Sequence, residues 1–206
     1  PFVQVQNSKL NISAQINPLK DLTIDLNAER NYSNNLSENY QVSDLDYIAL
    51  NTNEYGNFGI STILIKTAFS GGTDLINKNF LKFRENRLII ANRLAAQNGT
   101  SLNNRDENGF PAGFNKNHQT VLTASFLSAY SGTNPHNISF DPIQGMPLPN
   151  WNLKYTGLTK IKSLSKIFNR LSLTHGYRSS YTLTNYQTNL EYDPTKPSSK
   201  TNWVIT

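Results

Sequence analysis

The sequence contains no cysteine, which excludes disulfide scaffolds and metal sites built from cysteine. Charged residues are also scarce, at 16%, and hydrophobic residues make up only 37%. Neutral polar residues replace both classes, including 29 Asn, and Tyr and Phe contribute 10 residues each. This balance is unusual among cytosolic enzymes and favours either an extracellular β-protein or a membrane barrel with one wet face.

Long apolar runs are absent as well. No run approaches the roughly 20 residues that a membrane-spanning helix requires, so residence in a bilayer would need β-strands. The chain has no signal peptide, but it begins at Pro1 and ends at Thr206 within a strand-like pattern. We interpret it as an internal segment, so that the missing signal says nothing about compartment.

Residues that usually carry catalysis or hold metals are few and widely spaced. No two of the three histidines, His118, His136 and His175, have a spacing that would bring them together on one element. The pair Gly71 and Gly72 lacks the Lys-Ser/Thr continuation of a phosphate-binding loop. We therefore predict no catalytic residue, no cofactor and no metal ligand, and expect that the chain is not an enzyme.

The first thirty residues predict a β-hairpin with one apolar and one polar face. Every second residue is apolar between Lys9 and Asn17, and the alternation returns from Leu22 to Glu29 after a short Asn-Pro turn. Each run has about the length of a tilted strand that crosses a membrane, roughly 9 to 11 residues. The apolar positions are Leu10, Ile12, Ala14 and Ile16, then Leu22, Ile24, Leu26 and Ala28.

The next stretch lacks this regularity. Residues 31–57 are rich in Asn, Ser, Glu and Tyr without a clear period, and we predict a long loop there. The stretch 56–70 is more continuously hydrophobic, and we predict a strand within it.

Two helices are predicted in the middle of the chain. From Lys78, apolar residues recur at three- and four-residue spacings, and the pattern ends at Asn98 and Gly99. A second helix is predicted from His118 to Tyr130, although a strand fits that pattern too. Four prolines between 135 and 149 then exclude regular structure until Asn150.

Alternation resumes in the last third of the chain, with one run from Trp151 and a longer strand predicted from Leu171 to Tyr186. A loop from Asp193 to Lys200 and a further strand from Trp203 to Ile205 follow. A lipid-facing row edged by aromatic rings and a wet row of hydroxyls suit a membrane strand, but a soluble sheet with one solvated face fits equally well. The residues proposed to face lipid or its interface are Trp151, Leu153, Tyr155, Leu171, Leu173, Tyr177, Tyr181 and Leu183, and those proposed to face the lumen are Thr174, Arg178 and Thr182.

A cluster of basic residues lies in the same part of the chain. Such clusters are usually only solvated turns, but these cations could also contact anionic lipid headgroups or steer an acidic cargo. The residues are Lys154, Lys160, Lys162, Lys166, Arg170 and Arg178.

Several long phrases of the chain resemble the SprA/Sov family. The most specific are PNW-x-L-x-Y-x-GL and HGYRS-x-Y, which are rich in rare residues. The resemblance spans nearly the whole chain and is weaker over residues 31–57. The segments that carry it are IKTAF (65–69), FRENRLIIANRLA (83–95), DENGFPAGFNKNHQTVL (106–122), LPNWNLKYTGL (148–158) and LSLTHGYRSSYTLTNYQTNLEY (171–192).

This resemblance implies a mainly β fold, part of a very large transmembrane antiparallel β-barrel with loop and helical insertions. It implies barrel strands and a long loop over 1–70, a helix-containing or plug-like insertion over 71–149, and barrel strands with a loop over 150–206. The family exports folded type IX secretion cargo through the bacterial outer membrane and is linked to gliding motility. The expected partners are outer-membrane lipid, secreted cargo and other type IX components, with no nucleic acid; another barrel transporter and an extracellular glycan-binding β-sandwich stay open.

Overall fold

A computed structural model describes residues 1–43, 46–68, 77–189 and 203–205. The fold is mainly β, with an antiparallel sheet curled into a half-barrel and a few helices. The strands are β1 (Phe2–Leu19), β2 (Leu22–Ser43), β3 (Asp46–Ser61), β4 (Asn150–Tyr155), β5 (Leu173–Tyr177), β6 (Ser180–Thr188) and β7 (Trp203–Ile205). The helices are α1 (Ile65–Ala68), α2 (Lys78–Gln97), α3 (Gln119–Ser131) and α4 (Lys162–Ser165), with a 3-10 turn at Gly157–Lys160.

Strand β2 organises the sheet. It pairs with β1 along one edge, as the predicted hairpin requires, and with both β4 and β3 along the other edge. Asn27 faces Asn150 of β4, and Arg30 faces Ile60 of β3, so β4 and β3 lie end to end in one row. In the next row, β5 pairs with β4 and β6 pairs with β3, and β7 follows beside β6.

The chain leaves the sheet in the middle of the β3/β4 row. It exits after Ser61 and returns at Asn150, and we call residues 62–149 the helical insertion. Helices α2 and α3 share its core, in which Ile90 and Val121 are fully buried. The insertion covers one end of the sheet, where Ile143 packs against Phe58, Ile60 and Leu183.

The two predicted helices are confirmed, and their ends follow from local chemistry. The side chain of Asn77 accepts a hydrogen bond from the Asn79 amide at the start of α2. Gly132 ends α3 in the left-handed conformation, at φ 69°, which costs glycine little. The strand alternative for 118–130 is therefore wrong.

The long loop predicted over 31–57 is wrong. Strand β2 continues to Ser43 and pairs with β3, from Arg30 opposite Ile60 to Ser43 opposite Asp46. Backbone hydrogen bonds hold this ladder, and the side chains add polar contacts, such as Asn34 to Glu54. Along β2 the apolar residues Tyr32, Leu36, Tyr40 and Val42 alternate with polar ones, but Asn34 and Glu38 interrupt the pattern.

Two other strand predictions need correction. The strand expected within 56–70 ends at Ser61, and residues 65–68 form α1 instead. The single strand expected over 171–186 is divided into β5 and β6, with a break at Arg178 and Ser179. The break lies opposite the point where the insertion leaves the neighbouring row. The loop expected over 193–200 lies outside the described residues, whereas the strand at Trp203–Ile205 is confirmed.

Candidate functional site

The pairing register gathers the alternating apolar residues of four strands onto one face. Ile16 lies opposite Ile24, Ile24 opposite Leu153, and Leu153 opposite His175, and directly paired residues point to the same side of a sheet. We call this surface the apolar band. Its residues are Leu10, Ile12, Ala14, Ile16, Leu19, Leu22, Ile24, Leu26, Trp151, Leu153, Tyr155, Leu173 and Tyr177.

The opposite face of the same strands is polar. Ser13 donates a hydrogen bond to Asn27 over 3.1 Å, and the Gln15 amide donates to Asp25 over 2.8 Å. A depression of about 480 Å³ lies on this side. We call this surface the polar face, and its residues are Ser13, Gln15, Asp25, Asn27, Glu29, Asn152, Lys154, Thr174, Gly176 and Arg178.

Much of the apolar band is open. Ile12 is 48% exposed and Leu173 is 53% exposed, and other members are at least partly accessible. Soluble proteins rarely leave a continuous apolar surface of this kind uncovered. The band can therefore bury itself only against lipid or another apolar surface, while the polar face can remain in water.

Aromatic rings occupy both ends of the band on β4. Trp151 stacks on Tyr177 with ring centroids 4.5 Å apart, and its indole N–H donates to Nδ1 of His175 over 3.3 Å. At the other end, the ring of Tyr155 lies so close to Gly157 that a Cβ there would stand 2.5 Å from the tyrosine hydroxyl.

The predicted site residues divide into two groups by location. Thr174 and Arg178 lie on the polar face. Thr182, opposite Gly59, lies on the same side of the sheet as the polar face. Tyr181 and Leu183 share the side of the apolar band, but they lie beneath the helical insertion. The proposal that Leu183 faces lipid or its interface does not fit this location, since Leu183 is only 5% exposed. Leu171 precedes β5 and is half-buried.

Sequence patterns gave no sign of a hydrogen-bonded junction where the insertion meets the sheet. The Ser61 hydroxyl accepts from the Glu29 amide over 3.0 Å and donates to the Leu148 carbonyl over 2.8 Å. The Asn150 side chain accepts from the Ser179 amide over 2.8 Å. These three contacts and the bond from the Leu148 amide to the Ser61 carbonyl replace the missing ladder between rows; we call the group the strand junction.

Within the insertion, His118 precedes α3 and packs on the Phe114 ring at a centroid distance of 5.2 Å. Burial disfavours the charged imidazolium and lowers the pKa of His118 below its usual value. Its Nδ1 atom is buried and has no hydrogen-bond partner. A histidine in this setting packs as a neutral ring.

Among the described residues, no three His, Asp or Glu side chains lie close enough together to hold a metal ion. The carboxylate of Asp106, one of the few acidic side chains in the insertion, is used to shape a turn by accepting from the amides of Asn108 and Phe110. In the same described part of the chain, no helix is both long and apolar enough to cross a membrane. The chain matches no protein-family model and no curated protein sequence.

Proposed function

We propose that the chain forms part of the wall of a bacterial outer-membrane β-barrel, with the apolar band against lipid and the polar face towards an aqueous pore. The observation that supports this is the register, which aligns the alternating residues of four strands into one open apolar surface backed by one polar surface. Transmembrane barrels require this division because lipid and water contact opposite faces of every strand.

The dimensions of the band support the same proposal. On β1 it extends from Leu10 to Leu19, ten positions, and a tilted membrane strand needs roughly 9 to 11. At one end of the band, β1 and β2 join through the short turn at Lys20 and Asp21. The long insertion leaves the sheet beyond the other end of the band, after Ser61.

We further propose that the pore conducts folded protein for type IX secretion. This finer proposal rests on the phrases around Trp151 and His175, which resemble the SprA/Sov family. Transport requires a polar lining and partner proteins rather than a reaction, so the chain is assigned no catalytic residue, cofactor or metal. Secreted cargo and other type IX components are its proposed partners.

Site-specific cross-linking tests the cargo proposal. A photoreactive residue replaces Thr174 or Arg178 on the polar face, and the matched control replaces Leu173 on the apolar band. We expect secreted type IX cargo to be cross-linked from positions 174 and 178 and not from 173. A barrel that imports a small nutrient would give no protein adduct at either face, and a soluble glycan-binding sandwich would be released from membranes by alkali.

A further inference from the structure

The connection between β4 and β5 lies at the end of the apolar band. Its path begins beside the β1–β2 turn, where the Thr156 amide donates to the Asp21 carbonyl over 2.9 Å. Lys160 forms an ion pair with the Asp21 carboxylate at the same turn. We call residues 156–172 the basic connection; these contacts anchor its first five residues next to the last row of the band, Leu22, Tyr155 and Leu173.

Positive charge in the basic connection is unbalanced. The sequence contains no Asp or Glu from Pro142 to Leu190, whereas six Lys and Arg residues lie in that stretch. Lys162, Lys166 and Arg170 are exposed, and Lys160 is the one member with an ion pair among the described residues. Such a surface attracts an anionic partner.

Large apolar side chains stand exposed between these cations. Ile167 is 73% exposed, Ile161 is 48% exposed and Phe168 is 43% exposed. A solvated turn does not require exposed apolar side chains, and binding of an acidic soluble cargo would leave these side chains in water. Cations alternating with exposed apolar groups are typical of segments that lie in the headgroup region of a membrane.

We infer that the basic connection binds anionic lipid headgroups, with Lys162, Lys166 and Arg170 at the phosphates and Ile167 and Phe168 inserted among the upper acyl chains. Its position continues the apolar band into the interfacial layer. This inference rests on the proposed membrane role of the band. The specific partner is the headgroup of an anionic phospholipid in the leaflet next to the β1–β2 turn.

Vesicle partitioning of the protein tests the charge contribution. The probes are vesicles of phosphatidylcholine and vesicles in which about a third of the lipid is phosphatidylglycerol. The test variant is K162Q/K166Q/R170Q, and the matched control is K78Q/K82Q/R84Q, which removes three exposed cations from α2. Each cation near an anionic surface strengthens binding roughly fivefold, so the test variant should lose about 100-fold of the preference for anionic vesicles. The control should keep most of it.

The outcomes separate this inference from the proposed function. Equal losses in both variants would overturn the inference, since net charge alone would then explain binding. Insertion into both kinds of vesicle without an anionic preference would also overturn it and leave the barrel wall intact. An anionic preference that depends on the connection, in a protein that does not insert its strands, would uphold lipid binding and reject the wall.

Two further measurements separate lipid from acidic protein as the partner. The variant I167S/F168S should lower partitioning about tenfold into both kinds of vesicle, because apolar insertion does not depend on lipid charge. Soluble poly-glutamate should bind the wild type and I167S/F168S equally and weakly. Poly-glutamate that binds more tightly than anionic vesicles, with no effect of I167S/F168S on vesicle binding, would assign the connection to an acidic polypeptide and overturn the inference.

Discussion

Neighbouring side chains on β4 have opposite surroundings. Leu153 belongs to the apolar band, between Ile24 and His175, and Asn152 belongs to the polar face, beside Asp25. The two residues are adjacent in the sequence. Under the proposal, the side chain of Leu153 contacts lipid and that of Asn152 contacts water.

Arginine substitution at these two positions tests that contrast. L153R should destabilise the folded protein in lipid by about 2–4 kcal/mol, because a guanidinium must enter the hydrocarbon layer. N152R should cost less than about 1 kcal/mol, since its charge stays on the wet face. Urea unfolding of both variants in phospholipid vesicles measures the difference. A similar small cost for both would mean that Leu153 faces water.

A buried histidine makes the stability of the helical insertion depend on pH. The pKa of His118 is lowered by burial in the folded state, whereas the unfolded chain has the ordinary value near 6.5. The unfolded state therefore binds more protons below that pH, and stability is lost as pH falls from 7 to 5. In H118F this loss should disappear. The exposed His136 supplies the control, and H136F should retain the wild-type dependence of the urea midpoint followed by circular dichroism at 222 nm.

A glycine on β3 creates space for a tyrosine. A Cβ at Gly56 would stand 2.0 Å from the Ser33 carbonyl oxygen and 2.5 Å from the Tyr186 hydroxyl, which donates to that carbonyl. At Gly59 the nearest atom would be 3.4 Å away, on Thr182. G56A should therefore lower the free energy of unfolding by about 1–3 kcal/mol through overpacking, and G59A should cost much less. Equal effects would mean that this close approach is unimportant.

At the scale of elements, the strand junction allows an insertion to interrupt a strand row. Glu29 and Ser179 have no strand partner in the described β3/β4 row, so their amides would otherwise lack a hydrogen bond on that side. Side chains of Ser61 and Asn150 satisfy those amides instead. Buried backbone groups left without partners are costly, so the junction is the condition for keeping β3 and β4 in one row.

Removal of the Ser61 hydroxyl tests this role. S61A should reduce stability by about 1–3 kcal/mol, because the Glu29 amide and the Leu148 carbonyl both lose a partner. Amide exchange at Glu29 should become faster while exchange in the centre of α2 is unchanged. The exposed Ser163 provides the control, and S163A should alter neither. Unchanged exchange at Glu29 in S61A would contradict the assigned role.

The sequence predicted elements well where one face differs from the other. The β1–β2 hairpin and α2 were found because apolar residues recur with a period of two or of three to four. The β2–β3 extension over 31–57 was missed because Asn34 and Glu38 interrupt the apolar positions of β2 and weaken the period of two. The junction at Ser61 was missed for another reason: it depends on which segments meet in space, and a lone serine carries no signal of that.

The sequence predicted which residues of the site share a face of the sheet, but not which of them the helical insertion covers. Leu173, His175, Tyr177, Tyr181 and Leu183 do share one side of the sheet. Only the folded chain shows that the insertion covers Leu183 and leaves Leu173 open, because that depends on where residues 62–149 pack.

At the scale of the whole molecule, the sheet is a curled half-barrel with one open apolar band. Three strands of the described sheet, β1, β5 and β7, each pair with one neighbour. Open edges and an open apolar face both call for further surroundings, which the proposed barrel and bilayer would supply.

Spin labelling along β2 is the most direct test of this proposal. The chain has no native cysteine, so single cysteines can replace each residue from Leu22 to Glu29 in turn. The protein is placed in phospholipid bilayers, and the relaxation rate of each label is measured. Labels at 22, 24 and 26 should relax faster in the presence of lipid-soluble oxygen, and labels at 23, 25 and 27 in the presence of a water-soluble nickel chelate. Labels at 22, 24 and 26 that respond to the nickel chelate, or to neither reagent, would contradict a lipid-facing band.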